Sequence, residues 1–273
     1  AGAAWRGLPE GIVVGAGGGD NMMSAIGAGA TRPGVVVTSL GTSGTVFARS
    51  EVPVLDPEGL VAAFCDSAGA WLPLLCVMNC TGVLEELARG FAKDHAALSA
   101  AAQAVPAGTD GLRWIPFLQG ERVPDLPGAT GTLLGMRAGW LEPGRLYRAA
   151  LEGISLNLGA GVERLRRLGL PVEEVRLVGG AARNATWQRI LAAVFGVPLV
   201  VLEETETAAL GAALQSAWIA EREEGEAREL TALAAPFVRT TGERVAPTET
   251  EIDRYCELAL RFTDDLGRQY DIR

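Results

Sequence analysis

The sequence predicts an α/β fold, in which strands and helices alternate along the chain and pack in layers. The pattern is clearest where EVRLVGG, residues 174–180, has the apolar spacing of a strand and residues 184–196 have that of a helix. A second strand at 197–204 and a second helix at 207–218 follow directly. Chains that alternate in this way form a sheet covered by helices. The 273 residues, 48% of them hydrophobic, suffice for one large or two moderate domains.

The first third of the chain is dominated by strand-like segments that are separated by glycine-rich turns. Apolar and β-branched residues predict strands at 11–17 and 70–79, and a strand-turn-strand unit at 34–48. Small residues at 20–31 predict a short helix. From Leu112 the chain is rich in Pro and Gly, which predicts a strand that leads into a long structured loop.

Two helices of the second half carry clear end signals. After Pro143, apolar residues at three- and four-residue spacing predict a long helix, and Gly169 marks its end. Thr248 and Glu251 form a capping box that predicts the start of the last helix. The charged, Thr-rich residues 221–245 that precede this last helix are predicted to be irregular.

The two helices of the alternating region carry weaker signals. The helix at 184–196 has two candidate N-cap residues, Asn184 and Thr186. The helix at 207–218 is made almost entirely of small residues on the face that would pack closest. We therefore expect this helix to approach a neighbouring element closely.

Composition argues against several classes of partner. The formal charge is −9 and no basic stripe is present, so we expect no nucleic-acid partner. No apolar run reaches the roughly 18 residues that a membrane-spanning helix needs, so we expect no membrane partner and a cytoplasmic protein.

The cysteines and the single histidine argue against metal and triad chemistry. The four cysteines form no C-x-x-C pair, so they are predicted to be free buried thiols in a reducing cytoplasm, and no metal site is expected: Cys65, Cys76, Cys80 and Cys256. His95 lies in a helix-like stretch and is predicted to belong to a solvated helix face. Ser-His-Asp chemistry is therefore not expected.

Three glycine-rich turns, each after an apolar stretch, are the strongest functional signal. They lie at 17–20, 41–44 and 179–184. Glycine permits positive φ and has no Cβ, so that backbone N–H groups can converge on an anion. Each turn alone could be an ordinary tight turn between strands. Three of them in one chain favour the phosphates of a nucleotide.

Two familiar phosphate motifs are absent. The only lysine is Lys93, which lies in no P-loop pattern. Residues 15–19 begin as G-x-G, but Asp20 stands where a dinucleotide-binding loop has its third glycine, and a carboxylate there would repel a pyrophosphate. An NAD-dependent enzyme is therefore disfavoured. Asp20 is expected to face a group that has a proton to give.

The turn in SLGTSG, residues 39–44, has the donors that a phosphate site needs. The hydroxyl groups of Thr42 and Ser43 add to the backbone N–H groups of Gly41 and Gly44. The flanking strands would hold the turn rigidly. Such a hairpin can bind the terminal phosphates of ATP, although by itself it could equally be a hairpin turn.

Six motifs, in order, connect the chain with a known family. The sequence resembles the FGGY carbohydrate kinases, and among them most closely the xylulose kinases, from Gly7 to Arg261. The motifs are GAGGGDN (15–21), SLGTSGTVFA (39–48), FLQGERVP (117–124), GTLLGMRAGWLEPGRLYRAALEG (131–153), VRLVGGAARNATWQRILAAVFGVPL (175–199) and ETAALGAALQSAW (206–218).

The resemblance implies an actin-like, ribonuclease H-like ATPase fold, with a mixed sheet flanked by helices. It covers only the last part of the family's two-domain chain. It implies that residues 1–31 are the tail of the N-terminal domain, carrying the catalytic-base loop, and that residues 32–273 are the C-terminal nucleotide-binding domain. It also implies ATP with magnesium bridging its phosphates, a small-molecule sugar as substrate, and a possible homodimer. The isolated fragment is expected to be inactive.

The resemblance assigns roles to residues of the glycine-rich turns. Asp20 matches the catalytic base, which takes the proton from the attacking sugar hydroxyl. Asn21 matches a sugar-binding residue. The glycerol kinases have Gln at this place, so GDN, residues 19–21, indicates a ketopentose, in particular D-xylulose. The residues that match the nucleotide-binding loops are Gly41, Thr42, Ser43 and Gly44 for the phosphates and Gly179, Gly180 and Asn184 for adenosine.

The chain departs from the family pattern at three places. Arg145 stands where the family has an acidic, amide or His residue, and Asp66 stands where xylulose kinases often have His. VMNCTGVL, residues 77–84, replaces a more usual run of small residues. A second hypothesis also stays open, in which the chain is a non-catalytic or chaperone-like ATP-binding module of the actin fold. Such a module would share the glycine loops but would not need Asp20 beside Asn21.

Overall fold

The computed structural model describes residues 7–225 and 228–271. Within them, seven strands form one mixed sheet in the order β3-β4-β2-β1-β7-β8-β9, and β5 pairs with β6 in a separate hairpin. The strands are β1 (Gly34–Leu40), β2 (Gly44–Ala48), β3 (Ala62–Cys65), β4 (Trp71–Val77), β5 (Arg113–Ile115), β6 (Thr132–Leu134), β7 (Val172–Val178), β8 (Leu199–Leu202) and β9 (Thr240–Val245).

The centre of the sheet joins an antiparallel half to a parallel half. Strand β1 is antiparallel to β2 and parallel to β7, and β7 is parallel to β8. The outer strands β3, β4 and β9 are antiparallel to their neighbours. Consequently the carboxyl ends of β1 and β7 meet at one edge of the sheet, and the loops that follow them become neighbours.

Helices cover both faces of this sheet. One face packs against α2, α3, α4, α5 and α8, and the other packs against α1, α6 and α7. Residues of β1 alternate between the two cores: Val36 belongs to the first, and Val35 and Val37 to the second. The helices are α1 (Asp20–Gly27), α2 (Thr81–Phe91), α3 (His95–Gln103), α4 (Pro143–Arg167), α5 (Ala185–Phe195), α6 (Thr207–Glu223), α7 (Leu230–Ala234) and α8 (Glu249–Tyr270).

The predicted helix ends are confirmed. Helix α4 begins at Pro143, and Gly169 follows it with φ +87°, so that the N–H of Leu170 reaches the carbonyl of Leu165 at 3.1 Å. Thr248 caps α8 in the predicted capping box with the third residue of the helix. The hydrogen bonds that create these ends are local, which explains why the sequence reveals them.

Helix α1 packs against α6 through two glycines. A Cβ on Gly27 would lie 1.9 Å from the carbonyl oxygen of Thr207, and one on Gly211 would lie 1.8 Å from that of Met23. The backbones therefore approach more closely than any side chain would allow. This confirms the close approach that the small residues of α6 predict, and it fixes the helix that starts at Asp20 onto the body of the sheet.

A buried ion pair fixes the loop before β3 to the C-terminal turn of α4. The carboxylate of Asp56 is fully buried and binds the guanidinium of Arg164, while the N–H groups of Glu58 and Val61 also donate to it. Burial raises the pKa of Asp56, but the hydrogen bond from Arg164, the two N–H donors and the charge of Arg164 outweigh it, so the pKa lies below its ordinary value.

Three sequence predictions were wrong. Residues 11–17 form no strand, and Val14 is 83% exposed, because the segment finds no partner strand at the sheet. Residues 221–245 are not irregular throughout, since they contain α7 and β9. Two of the four free cysteines are exposed rather than buried: Cys65 on the edge strand β3 and Cys256 on α8.

No helix among residues 7–225 and 228–271 is long and apolar enough to cross a membrane.

Candidate active site

Two of the predicted glycine loops lie side by side at the carboxyl edge of the sheet. Ser39 of β1 is paired with Val178 of β7, so the turns after both strands leave the sheet together. Gly179 has φ +94°, and a Cβ there would lie 2.7 Å from the carbonyl oxygen of Leu40. Only glycine permits this contact, which brings the loop at 179–184 against the hairpin 41–44.

The N-terminus of α2 holds the hairpin 41–44 in place. The N–H of Thr81 donates to the carbonyl of Gly41 at 2.9 Å, and that of Cys80 donates to the carbonyl of Thr42 at 3.2 Å. The hydroxyl-bearing residues Thr42 and Ser43 are exposed. No described residue accepts a hydrogen bond from the backbone N–H groups of Gly41, Thr42 or Ser43. The hairpin therefore has backbone donors without a protein acceptor, which an anion site requires.

Asp20 is the first residue of α1 and is exposed. Its Oδ1 accepts hydrogen bonds from the backbone N–H and the carboxamide of Asn21, at 2.8 and 3.2 Å. The carboxamide oxygen of Asn21 in turn accepts a hydrogen bond of 3.2 Å from the hydroxyl of Thr45. Thr45 directly follows the hairpin, so two side-chain contacts connect Asp20 with the predicted phosphate loop.

Asn184 is the N-cap of α5, and the alternative cap Thr186 is not used. Its Oδ1 accepts from the N–H of Trp187 at 3.1 Å and from the hydroxyl of Ser99 at 2.8 Å. The carboxamide nitrogen has no acceptor among the described residues. Nothing lies within 4 Å of the place where a Cβ of Gly180 would stand. The loop therefore offers one free donor beside open backbone, which fits the edge of a purine ring.

Glu121 and Thr45 are site residues that sequence reasoning missed. The carboxylate of Glu121 is 2% exposed and accepts from the N–H groups of Met78 and Arg122, at 2.6 and 2.7 Å. Its other oxygen accepts from the carboxamide of Asn79 at 3.0 Å. A buried, fully bonded carboxylate in a loop leaves no periodic signal; the only hint was its place in the motif FLQGERVP.

The residues that depart from the family pattern have structural partners. Arg145 binds the carboxylate of Asp110 at 2.8 Å and lies over the ring of Trp140 at 4.7 Å. Asp66 is buried and binds Arg49 at 3.0 Å. Neither contact involves a glycine loop, whereas Cys80 and Thr81 of the third departing segment bind the hairpin 41–44.

His95 is only partly exposed, with contacts on both ring nitrogens. The imidazole lies 3.1 Å from the hydroxyl of Tyr147 and 3.0 Å from the carboxylate of Glu85. These contacts connect α3, which carries His95, with α2 and α4. His95 itself belongs to none of the three glycine loops. Burial and the nearby charge of Glu85 raise the pKa of Tyr147 to about 12, so this hydroxyl stays protonated at neutral pH.

No group of three or more His, Cys, Asp or Glu side chains in the described part of the chain is arranged to hold a metal ion.

The fold and the glycine loops agree with comparisons to known proteins. Residues 36–220 match the family model for the C-terminal domain of the FGGY carbohydrate kinases. The chain belongs to the FGGY family of carbohydrate kinases. This confirms the resemblance that the six motifs indicate, and it accounts for the mixed sheet as the actin-like fold of these enzymes.

Several xylulose kinases are similar to this FGGY chain. That of Haemophilus influenzae is 37% identical over 265 residues, which are 97% of this chain and 53% of the relative. That of Streptomyces coelicolor is 42% identical over 225 residues, 81% of this chain and 45% of the relative. The crystal structure of xylulose kinase from Rhodospirillum rubrum matches 98% of this chain and 54% of its own, with 31% identity and a TM-score of 0.86.

The chain spans about half the length of the curated relatives it matches. The predicted division at residue 31 stays a prediction. So do the roles of the residues in the glycine loops, although the structure brings them to one edge of the sheet.

Proposed function

We propose that this chain forms the nucleotide-binding and base-bearing part of an ATP-dependent carbohydrate kinase, which phosphorylates a ketopentose, D-xylulose, to D-xylulose 5-phosphate. The observation that carries the proposal is the hydrogen bond between Thr45 and Asn21. It joins the segment of the predicted base to the predicted phosphate hairpin. The substrate rests on the xylulose kinases among the relatives and on Asn21 beside Asp20.

The reaction is a transfer of the γ-phosphoryl group to the terminal hydroxyl of the sugar. The hydroxyl oxygen forms a bond to the γ-phosphorus while the bond from that phosphorus to the β,γ-bridging oxygen breaks, and ADP leaves with the bonding electrons. Asp20 takes the proton of the attacking hydroxyl. Asn21 holds the sugar and keeps the carboxylate of Asp20 in place through its carboxamide.

ATP is held by the two adjacent loops. The N–H groups and hydroxyls of the hairpin 41–44 bind the terminal phosphates. Adenosine binds at the loop of Gly179 and Gly180, where Gly180 leaves room beside the backbone. The free carboxamide nitrogen of Asn184 donates to an acceptor at the edge of the purine. Magnesium, when bound, would lower the negative charge of the terminal phosphates beside the hairpin 41–44, and the nucleotide would supply most of its ligands, as is usual for this ion.

The organisation of the whole enzyme follows from the same proposal. Residues 1–31 end an N-terminal domain, and residues 32–273 form the second domain, with the sugar and ATP meeting between them. The enzyme acts in the cytoplasm, where cysteines stay reduced, and two copies can form a homodimer.

The test uses the intact gene product and measures ADP release with D-xylulose, with other sugars and without sugar. We expect release that depends on D-xylulose and a phosphorylated product. A non-catalytic or chaperone-like ATP-binding module is the alternative, since it would need the same glycine loops. ATP hydrolysis that does not respond to any sugar would favour that alternative and contradict the kinase.

A further inference from the structure

Arg122 follows a loop residue that is fixed from several sides. One oxygen of the Glu121 carboxylate accepts both the N–H of Arg122 and the N–H of Met78, at 2.7 and 2.6 Å. Glu121 also exchanges two backbone hydrogen bonds with Leu126, each of 2.9 Å. The backbone of Arg122 is therefore held next to the residue that follows β4.

The end of β4 is part of the predicted phosphate site. Val77 is paired with Gly44 of the hairpin, and Cys76 is paired with Thr45. Residues directly opposite on antiparallel strands project from the same face of a sheet. Cys76 therefore lies beside Thr45, whose hydroxyl binds Asn21.

The side chain of Arg122 starts close to this place, because the N–H groups of Arg122 and Met78 share one oxygen of Glu121 and Met78 follows Val77, the partner of Gly44. Burial raises the pKa of the Cys76 thiol, while the positive charge of Arg122 and a hydrogen bond with Ser43 lower it. This effect of the Arg122 charge agrees with a guanidinium on the side of β4 that lies next to the hairpin 41–44.

The charge of Arg122 is not neutralised by the protein. Its side chain is exposed and forms no ion pair with any described residue. The neighbouring carboxylate of Glu121 already accepts hydrogen bonds. The donors are the backbone N–H groups of Met78 and Arg122 and the carboxamides of Asn79 and Asn157. Some other arginines of the domain, such as Arg49 and Arg164, have carboxylate partners.

We propose that the guanidinium of Arg122 binds the phosphoryl group of the nucleotide while it is transferred to the sugar. The inference rests on the proposed kinase function and adds a catalytic residue to it. During transfer, negative charge gathers on the oxygens of the γ-phosphoryl group and on the departing bridging oxygen. A planar guanidinium can donate two parallel hydrogen bonds to such oxygens, which a lysine cannot do. The proton still goes to Asp20, and Arg122 stays charged throughout.

The experiment compares Arg122→Gln and Arg122→Lys with the wild type in the intact protein. We expect Arg122→Gln to lower kcat about 10²- to 10³-fold, the usual effect of losing one donor to a transition-state oxygen, with the KM for D-xylulose nearly unchanged. Lysine should restore only part of the rate. The matched control is Arg261→Gln, at an exposed position on α8, which should leave turnover unchanged.

Two further measurements separate contact with the phosphoryl group from a structural role. Guanidinium ion at millimolar concentration should restore part of the turnover of Arg122→Ala but not that of Asp20→Asn. ADP with aluminium fluoride, which imitates the transferring group, should inhibit the wild type more strongly than Arg122→Gln, although ADP alone binds both equally.

The outcomes distinguish this inference from the kinase proposal. Sugar-dependent turnover that is equal in the wild type and Arg122→Gln would overturn the role of Arg122 and leave the kinase intact. A loss of kcat without rescue by guanidinium, and with unchanged inhibition by aluminium fluoride, would also overturn it. A wild type without any sugar-dependent ADP release would overturn both.

Discussion

The hydroxyl of Thr45 donates to the carboxamide oxygen of Asn21 across 3.2 Å, although the two residues belong to different elements. Asn21 lies in the first turn of α1, and Thr45 follows the first residue of β2. The contact joins the two halves of the proposed site, so it can be tested directly. Replacing Thr45 with Val removes the hydroxyl at nearly constant volume. We expect kcat/KM for D-xylulose to fall about fivefold, since a single neutral hydrogen bond contributes about 1 kcal/mol.

Thr45→Ser is the control for this change, because it keeps the hydroxyl. Steady-state kinetics of the intact protein should give a kcat/KM close to that of the wild type for Thr45→Ser and a clearly lower one for Thr45→Val. Equal values for both variants would mean that the contact does not position Asn21.

Asp20→Asn should leave ATP binding intact and lower kcat about 10²- to 10⁴-fold, because the carboxylate accepts a proton only in the transition state. Nucleotide affinity can be measured by calorimetry and turnover by coupled release of ADP. Asp253→Asn, at an exposed position on α8, is the matched control. If Asp20→Asn turns over at the wild-type rate, Asp20 is not the base.

Gly27→Ala should destabilise the chain by about 2 kcal/mol or more, because the added methyl group meets a backbone oxygen that cannot move alone. Gly90→Ala provides the contrast. Gly90 lies within α2 with open space around its Cβ position, so alanine should stabilise the helix by about 0.5–1 kcal/mol. Urea unfolding followed by tryptophan fluorescence measures both. A stable Gly27→Ala variant would contradict the close packing of α1 on α6.

Asp56→Asn should lower the free energy of unfolding by about 3 kcal/mol at pH 7, since it removes one partner of a buried ion pair. The pKa of Asp56 is below its ordinary value in the folded chain. The native state therefore stays ionised at pH values where the unfolded chain binds a proton, and this stabilisation is lost as the pH falls through the folded pKa. The difference between wild type and variant should shrink in that acid range.

Glu58→Gln is the comparison, because Glu58 binds the same Arg164 but is 62% exposed. Its effect on stability should stay below about 1 kcal/mol at every pH. A pH-independent difference between wild type and Asp56→Asn would contradict the assignment.

A disulfide reagent should modify the exposed thiols of the folded protein and should not modify the buried thiol of Cys80. Cys65 and Cys256 are exposed, whereas burial raises the pKa of Cys80 to about 12. At pH 8 in the native protein, a disulfide reagent should modify the first two rapidly and leave Cys80 unmodified until the chain unfolds. Cys65→Ser and Cys256→Ser should each remove one rapid site. Rapid reaction of Cys80 in the folded protein would contradict its position under the hairpin.

The parts of the fold that sequence could predict are those set by neighbours along the chain. The capping box at Thr248, the N-cap at Asn184 and the stop at Gly169 depend on hydrogen bonds within a few residues. Strand β9 was missed, since it exists only by pairing with β8, as in the contact of Leu202 with Thr240. The strand predicted at residues 11–17 does not form, for the opposite reason: the residue pattern suits a strand, but no partner strand lies beside it.

In the candidate site, too, the sequence predicts the local features and misses the contacts between distant elements. The glycine loops and Asp20 are visible in the sequence because glycine runs and an isolated acid are unusual. The bond from Thr45 to Asn21, the bonds around Glu121 and the unpaired charge of Arg122 depend on elements far apart in the chain. No local pattern encodes these contacts.

The glycine contacts between α1 and α6 have a consequence for motion during turnover. Because Met23 and Gly27 touch the backbone of α6, the start of α1 cannot shift without moving α6 and the sheet beneath it. In the proposed kinase, the packed pair of α1 and α6 would therefore move as one body when the cleft opens or closes. Asp20, the predicted base, would then keep its distance to the predicted phosphate hairpin during such a movement.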